Sequence, residues 1–492
     1  MMMRKLIIVL LFVPFVSVYG QGPSFADMVG DMTDQSLPLV NLTYDESNLN
    51  SEEYIEGKIE IVDKQMRTEE GKESVTYKAD LKIRGGSITS LDKKSFAVKL
   101  FKINKNNEKK DVDAAIFGIR EENSWILDAM GYDKMRMRNR VCFDLWNEMS
   151  KTPYDTDYDN RNGTEGQFVE VFVNGTYHGL YCMTDKIDRK LLGVEKYEKK
   201  TNTVHGLIYQ GHEHEGHFSH LLSYDNSEWE LEYPDDYSTD PNTWEPLKAL
   251  IGFCSANTND EYFLGNYTSY FYTSNLADYM VMTMALNVVD NLYKNTFLSI
   301  PDIALGHRYL LTPWDMDGSL GRTNKGVVND VCDVTRYNET APYNRLYVQN
   351  MDNFADAVKK KWLELQTTTF SIEHVHSVLD AYAAKFVSTG AWGREYAKWG
   401  NAEVSLTADL SEELAYVKEW YVNNFNKLCE SWGRRGDVNG DHVVDINDVN
   451  LLCDIILEKT TDYEFNIADV NLDGSINAAD IVETISLIPK SE

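Results

Sequence analysis

Residues 286–321 read LNVVDNLYKNTFLSIPDIALGHRYLLTPWDMDGSLG. A helical apolar pattern ends at Val289, and Asp290 follows it. Lys294 and Asn295 come next, then a short apolar strand, a turn and a second apolar strand. That second strand runs into Asp315 and Asp317, with Gly318 behind them. Two or three carboxylates and an amide on neighbouring strand ends can hold Mg²⁺ against phosphate oxygens. Asp and Asn are also frequent at strand ends and turns for local reasons. The stretch therefore has to be read with what precedes and follows it.

Upstream the chain is strand-like. LPLVNLTY (37–44), EGKIEIVD (56–63), VTYKADLKIRG (75–85) and KSFAVKLFK (94–102) alternate, or run β-branched and aromatic, and predict an antiparallel β region. Arg84-Gly85-Gly86-Ser87 puts two glycines where backbone N–H groups can approach a phosphate, and Lys99 on the next strand could reach the same group. The same residues also describe a hairpin with a solvated basic face. A helical run is expected from Asp133 to Met149, with Arg136, Arg138 and Arg140 either clamping an anion or simply paired. Asn174-Gly175, between FVEVFV and the run from Tyr177 to Met183, is the strongest hairpin signal in the chain.

Composition sets the class. The chain has 492 residues, 43% of them hydrophobic and 12% aromatic, enough for a large core. Its formal net charge is −30, which disfavours nucleic acid and anionic lipid surfaces as partners. Residues 1–20 have Arg4 and Lys5 at the front, an apolar run from Leu6 to Val18 and small residues before Gln21. They read as a cleaved secretory signal peptide. The expectation is a protein sent to the periplasm, the cell surface or the outside, with no membrane span. Six widely spaced cysteines contain no CxxC pair, so no zinc site is indicated; they are either disulfides or buried thiols.

The motifs RGGS (84–87), KKSFAVKL (93–100), FG (117–118), SWIL (124–127), KMRMRNR (134–140), the run from Phe168 to Asp188, NVVDNLYKN (287–295) and TPWDMDGSLG (312–321) occur in an order that resembles the CotH family, the spore-coat-protein-H-like atypical kinases. The gap from Asp290 to Asn295 also matches that between the base aspartate and the metal-binding asparagine of a kinase catalytic loop. The resemblance spans residues 37–432, after a loop at 21–36. It implies an α+β fold with a two-lobed, kinase-like domain that binds ATP with Mg²⁺ or Mn²⁺ and phosphorylates Ser or Thr of a protein. By that resemblance Asp290 is the general base. Asp317, with Asp315 beside it, and Asn295 are metal ligands. Arg84 and Lys99 contact nucleotide phosphates, and the segment from Tyr181 to Asp185 forms the hinge near the adenine. The alternative in another class is a non-catalytic binding module, a pseudokinase carried in an extracellular, polysaccharide-degrading assembly.

The tail, 433–492, carries GDVNGDHVVDINDVNLLCDII and NIADVNLDGSINAADIVETI. In the first, Asp437, Asn439, Asp441, Asp445 and Asp448 fall at calcium-loop positions 1, 3, 5, 9 and 12, with Val443 giving a carbonyl at position 7. In the second, Asp469, Asn471, Asp473, Asn477 and Asp480 take those places, with Ser475 at position 7. Duplicated loops that end in Asp, each followed by a helix, resemble a type I dockerin. This implies a small all-α, EF-hand-like domain with two Ca²⁺ ions. Its partner would be a cohesin-like scaffold, or its own chain. Position 6 is Gly474 in the second loop but His442 in the first, which predicts weaker calcium binding by the first.

Overall fold

The computed structural model describes residues 22–489, apart from 67–70, 212–228, 236–239, 256, 289 and 293. The expected signal peptide lies outside the described residues. Among the described residues no helix is long and apolar enough to cross a membrane.

The four alternating runs form β1 (Leu39–Tyr44), β2 (Ile55–Val62), β3 (Ser74–Arg84) and β4 (Ser95–Ile103). Three short strands follow: β5 (Lys109–Asp111), β6 (Ala114–Ala115) and β7 (Glu121–Glu122). β8 (Ser124–Asp128) precedes the hairpin of β9 (Gly166–Val173) and β10 (Thr176–Thr184), which turns at Asn174-Gly175. These strands pair in the order β3-β2-β1-β9-β10-β8-β4, and β4 pairs back onto β3. The result is a closed seven-strand barrel.

Alternation explains what fills it. Val40, Leu42, Ile59, Ile61, Leu81, Phe96, Val98, Leu100, Trp125, Leu127, Val169, Val171, Tyr181 and Met183 point inward and are buried together. A barrel of this size has an interior just wide enough for side chains.

This closure corrects the expected two-lobed, kinase-like architecture. The N-terminal strands do not form an open sheet facing a helical lobe; they close on themselves, and this is not a two-lobed kinase fold. The deciding contact is between β1 and β9, which run parallel with Leu39 opposite Glu170 although more than a hundred residues separate them. Local alternation reports which face of a strand is apolar, but carries no information on such a partner.

A second sheet has the order β12-β11-β13-β14, made of β11 (Leu207–Gly211), β12 (Trp229–Tyr233), β13 (Thr296–Ile300) and β14 (Leu310–Pro313). The hairpin expected after Asn295 is β13–β14. Helices α1 (Phe25–Asp31) and α2 (Arg138–Met149) come early, and the rest lie in the C-terminal part: α3 (Pro241–Cys254), α4 (Asp260–Tyr270), α5 (Thr273–Ala285), α6 (Tyr343–Leu346), α7 (Phe354–Leu365), α8 (Ile372–Ser388), α9 (Ala391–Trp399) and α10 (Leu410–Trp432). The tail holds α11 (Ile446–Ile456), α12 (Phe465–Ala468) and α13 (Ala478–Leu487).

Two expected helix boundaries move. The helix expected from Asp133 begins at Arg138, because Asp133 turns back to accept the N–H groups of Met135, Met137 and Arg138. α5 stops at Ala285, short of Val289, because Asn287 takes the left-handed conformation and its amide ties to the Asp330 carbonyl and the Arg336 guanidinium.

Helices seal the barrel's outer wall through buried charge. Glu395 of α9 is fully buried and accepts from Lys93 Nζ, Arg136 Nε and the Leu180 N–H, each at 2.7 Å. Burial opposes its ionisation, but Lys93 and Arg136 more than offset that and hold its carboxyl below the usual range. Gly179, at φ +138°, leaves the space: a Cβ there would sit 2.7 Å from Glu395 Oε2. Arg394 pairs with buried Glu170 through two 2.7 Å bonds. Arg138 joins Asp133 at 2.5 Å and Glu413 of α10 at 2.8 Å, and Arg322 also holds Glu413. The three arginines of the 134–140 run are thus inside the protein and paired to carboxylates. All six cysteines are free thiols, and all but Cys453 are buried.

Candidate functional site: a charged cleft and two acidic loops

A cleft of about 540 Å³ lies between the outer wall of the barrel and the β13–β14 hairpin. On β3 and β4 the side chains that alternate with the core, Arg84, Ser95, Ala97 and Lys99, face it. From the other side come Asp290, Lys294, Asn295, Trp314, Asp315 and Asp317. The volume is in the range of a small-molecule site. The Arg84 guanidinium lies over the Trp314 ring at 5.4 Å, and Lys99 Nζ over Tyr54 at 4.7 Å.

The loops that carry the acidic side chains are pinned from behind. Buried Asn291 donates its amide to the carbonyls of Asn295 and Trp314, both at 2.9 Å. Trp314 N–H donates to the Asn295 carbonyl at 2.8 Å. Asn139 of α2 accepts from the Met316 N–H at 3.0 Å and donates to Asp128 at 3.1 Å, which joins β8, α2 and the Asp315–Asp317 turn. Asn295 and Asp315 both sit at positive φ, 56° and 50°, conformations that Asn and Asp tolerate better than most residues. Asp290 accepts from Asn324 Nδ2 at 2.8 Å, and Lys294 Nζ is 3.5 Å from the same oxygen.

Charge in the cleft is unbalanced on its acidic side. Burial raises the carboxyl of Asp317 well above the carboxylate range, with Asp315, Asp128, Asp133 and Asp290 adding repulsion. Asp315 is exposed by surface area, yet its carboxyl lies deep between the walls of the cleft. Burial pushes it up to about 6; Asp128 and Asp290 add to this, while Arg84 and Lys294 oppose it. Among the described residues no three His, Cys, Asp or Glu groups converge as a ready-made metal cage. The donor set nonetheless suits a hard cation. Mg²⁺ keeps several waters and binds through one or two carboxylates plus phosphate oxygens.

The structure brings Asp290, Asn295, Asp315, Asp317, Arg84 and Lys99 together and leaves Tyr181 and Asp185 apart from them. Tyr181 lies in the barrel core with its hydroxyl donating to the Lys94 carbonyl. Asp185 is fully buried and accepts from Arg120 at 2.7 Å, Arg161 at 2.7 Å and the Glu165 N–H at 2.8 Å. Their neighbours Thr184, Lys186 and Ile187 reach the cleft instead. Asp128 and Asn324 were not picked out in the sequence, and Lys294 was named there without a role. Asp128 ends strand β8 much as Asp315 follows β14, which is a usable signal. Lys294 lies one turn after Asp290. Asn324, in a stretch without a motif, carries no signal at all.

In the tail both acidic stretches form closed loops. Asp437 accepts the N–H groups of Asp441 and His442, and Asp469 accepts that of Gly474. Asp448 and Asp480 accept backbone N–H groups at the start of their loops and again at the N-terminus of the following helix, completing capping boxes with Asp445 and Asn477. Asp441 and Asp473 accept the N–H groups of Val443 and Ser475. Asp469 is 2% exposed and its Oδ1 has no partner, the kind of orphaned oxygen that a cation would satisfy. His442 stands at φ +69° where Gly474 stands at +87°.

A family model described as CotH kinase protein matches residues 81–427, and one described as Dockerin type I domain matches residues 435–488. No curated protein matches the chain. Type I dockerin domains generally bind calcium, typically bind cohesins and occur in extracellular assemblies. With most of its length matched, the chain belongs to the CotH family and carries a C-terminal type I dockerin domain.

Proposed function

We propose that the cleft binds a nucleoside triphosphate with Mg²⁺ or Mn²⁺ and that the protein transfers its terminal phosphoryl group to a Ser or Thr hydroxyl of another protein. The observation that carries this reading is the meeting of two opposed charge sets in one cleft. Arg84, Lys99 and Lys294 can neutralise phosphate oxygens, and Asp315, Asp317 and Asn295 offer oxygens to a cation. When bound, the cation supplies charge neutralisation at the transferring group. Asp290 accepts the proton of the acceptor hydroxyl, so that its oxygen forms the new P–O bond as the bond to the nucleoside diphosphate breaks. Asn324 and Lys294 orient that carboxylate. Thr184, Lys186 and Ile187 border the same cleft and would bound the base, with Tyr181 and Asp185 supporting them from behind.

The tail takes a second role in this reading. Asp437, Asn439, Asp441, Val443, Asp445 and Asp448 would hold one Ca²⁺, and Asp469, Asn471, Asp473, Ser475, Asn477 and Asp480 another. The leader at 1–20 would export the chain and the dockerin would attach it to a cohesin-like scaffold. The deciding experiment is transfer of labelled γ-phosphate from ATP, with Mg²⁺ or Mn²⁺, by wild type, Asp290→Ala and Asp317→Ala. Transfer lost in both variants supports the assignment. A folded wild type that neither binds ATP nor transfers phosphate removes it in favour of a non-catalytic binding module.

A further inference from the structure

The dockerin is fastened to the CotH domain at its second loop. Arg435, just beyond α10, donates from Nε to the Val470 carbonyl at 2.7 Å and pairs through Nη2 with Glu483 at 3.1 Å. Its Nη1 reaches Thr367 Oγ1 at 2.8 Å, and its backbone N–H donates to Gln366 Oε1 at 3.1 Å. Val470 lies between Asp469 and Asn471, inside the second loop, whereas Thr367 and Gln366 close the end of α7. One side chain therefore spans both modules.

The joint has an apolar seat as well. Gly433, at φ +92°, lets the chain pass so closely that a Cβ there would overlap Ile467 of α12 and come within 3.8 Å of Leu363 of α7. The Gly433 carbonyl accepts from Trp362 Nε1 at 3.1 Å. Lys359 of α7 meets Glu464, at the start of α12, at 3.1 Å. For the first loop, 437–448, no such bridge from its backbone to α7 is seen among the described residues. The orphaned oxygen of Asp469 belongs to the loop that Arg435 clamps.

We propose that the second calcium loop is part of the joint between the modules, so that calcium bound there stabilises the CotH domain and the docked domain in turn tightens calcium binding at that loop. This rests on the calcium reading of the tail. The physical basis is linkage: an ion that binds only the ordered loop stabilises whatever is ordered with it, and the coupling is reciprocal. The clamp also sets how the dockerin leaves the domain, since Arg435 holds Val470 and Glu483 on one side and Thr367 and Gln366 on the other.

The full chain provides its own reporter, because all 10 tryptophans precede residue 433. Thermal unfolding followed by tryptophan fluorescence therefore reads the CotH domain alone. It is measured with calcium and with chelator, beside calorimetric titration with calcium. Wild type is expected to bind calcium and to gain a few degrees in the tryptophan transition. Asp469→Asn should lose that gain, whereas Asp437→Asn should retain most of it. Arg435→Ala, and the milder Glu483→Gln, should still bind calcium with a smaller gain. Calcium binding without any shift in wild type, or a shift unchanged by both joint variants, overturns the linkage. Absence of calcium binding by titration overturns the calcium reading and the linkage together.

Discussion

The cleft and the two acidic loops of the tail are both built from aspartate and asparagine, yet they are assembled in opposite ways. Each loop takes its oxygens from twelve consecutive residues, and its own backbone N–H groups hold those oxygens in place. The cleft takes its charges from β3, β4, β8, the turn at Asp290 and the turn after β14, and the side-chain amides of Asn291 and of Asn139 on α2 hold the acidic turns. Local spacing determines the first kind of site. The second exists only once the barrel has closed and α2 has docked.

Four experiments bear on that difference. The largest effect is expected in the cleft itself. Asp290→Ala should lower phosphate transfer by about 10²–10⁴-fold, the usual worth of a positioned base, with calcium titration unchanged. Next comes a residue that only positions the cleft. Asn139→Ala removes the acceptor for the Met316 N–H and should cost about tenfold in transfer, while leaving both calcium loops as they are. A calcium defect in that variant would break the claimed independence of the two regions.

A third experiment uses acid. His178 is packed among Phe96, Tyr181 and Trp399, and its Nε2 has no partner. Burial, then Lys398 and Lys93, lower its pKa from 6.5 to about 4, with Glu395 opposing. A folded pKa below the unfolded one means stability that is present above pH 6.5 and lost as pH falls toward 4. His178→Phe should flatten that slope in the tryptophan-monitored transition. An unchanged slope would remove His178 as its source.

The smallest effect belongs to the first loop. His442→Gly relieves a side chain at φ +69° and should tighten calcium at that loop by about fivefold, corresponding to about 1 kcal/mol of left-handed strain. A calorimetric titration that resolves two sites would show it. Equal affinities before and after would mean that the loop bears no strain at that position.

The legibility of each part follows its range of interaction. The strand runs at 37–44, 56–63, 75–85 and 94–102 became β1–β4 within a residue or two, because alternation reports directly which side chains face a core. The Asn174-Gly175 hairpin formed as expected, since Asn174 and Gly175 accept positive φ at the turn. The expected kinase-like lobes did not form, because nothing in the alternation of β1 names β9 as its parallel neighbour. Arg136, Arg138 and Arg140 could equally have held an anion; Glu395, Glu413 and Asp144 decided otherwise, and two of those three come from helices far along the chain. Asp185 lies beside cleft residues in sequence, but three hydrogen bonds hold it inside the protein.

By itself the sequence determined the two closed acidic loops of the tail, the strands of the barrel and the acidic stretch from Asp290 to Asp317. These rest on hydrogen bonds and periodicities a few residues long. Only the tertiary structure decided that the sheet closes, that Asp128, Asn324 and Lys186 share a cleft with Asp290, and that Arg435 ties the second loop to α7. Those depend on which apolar surfaces meet and which buried charges find partners. Such choices are made between segments tens to more than a hundred residues apart, where local pattern has nothing to say.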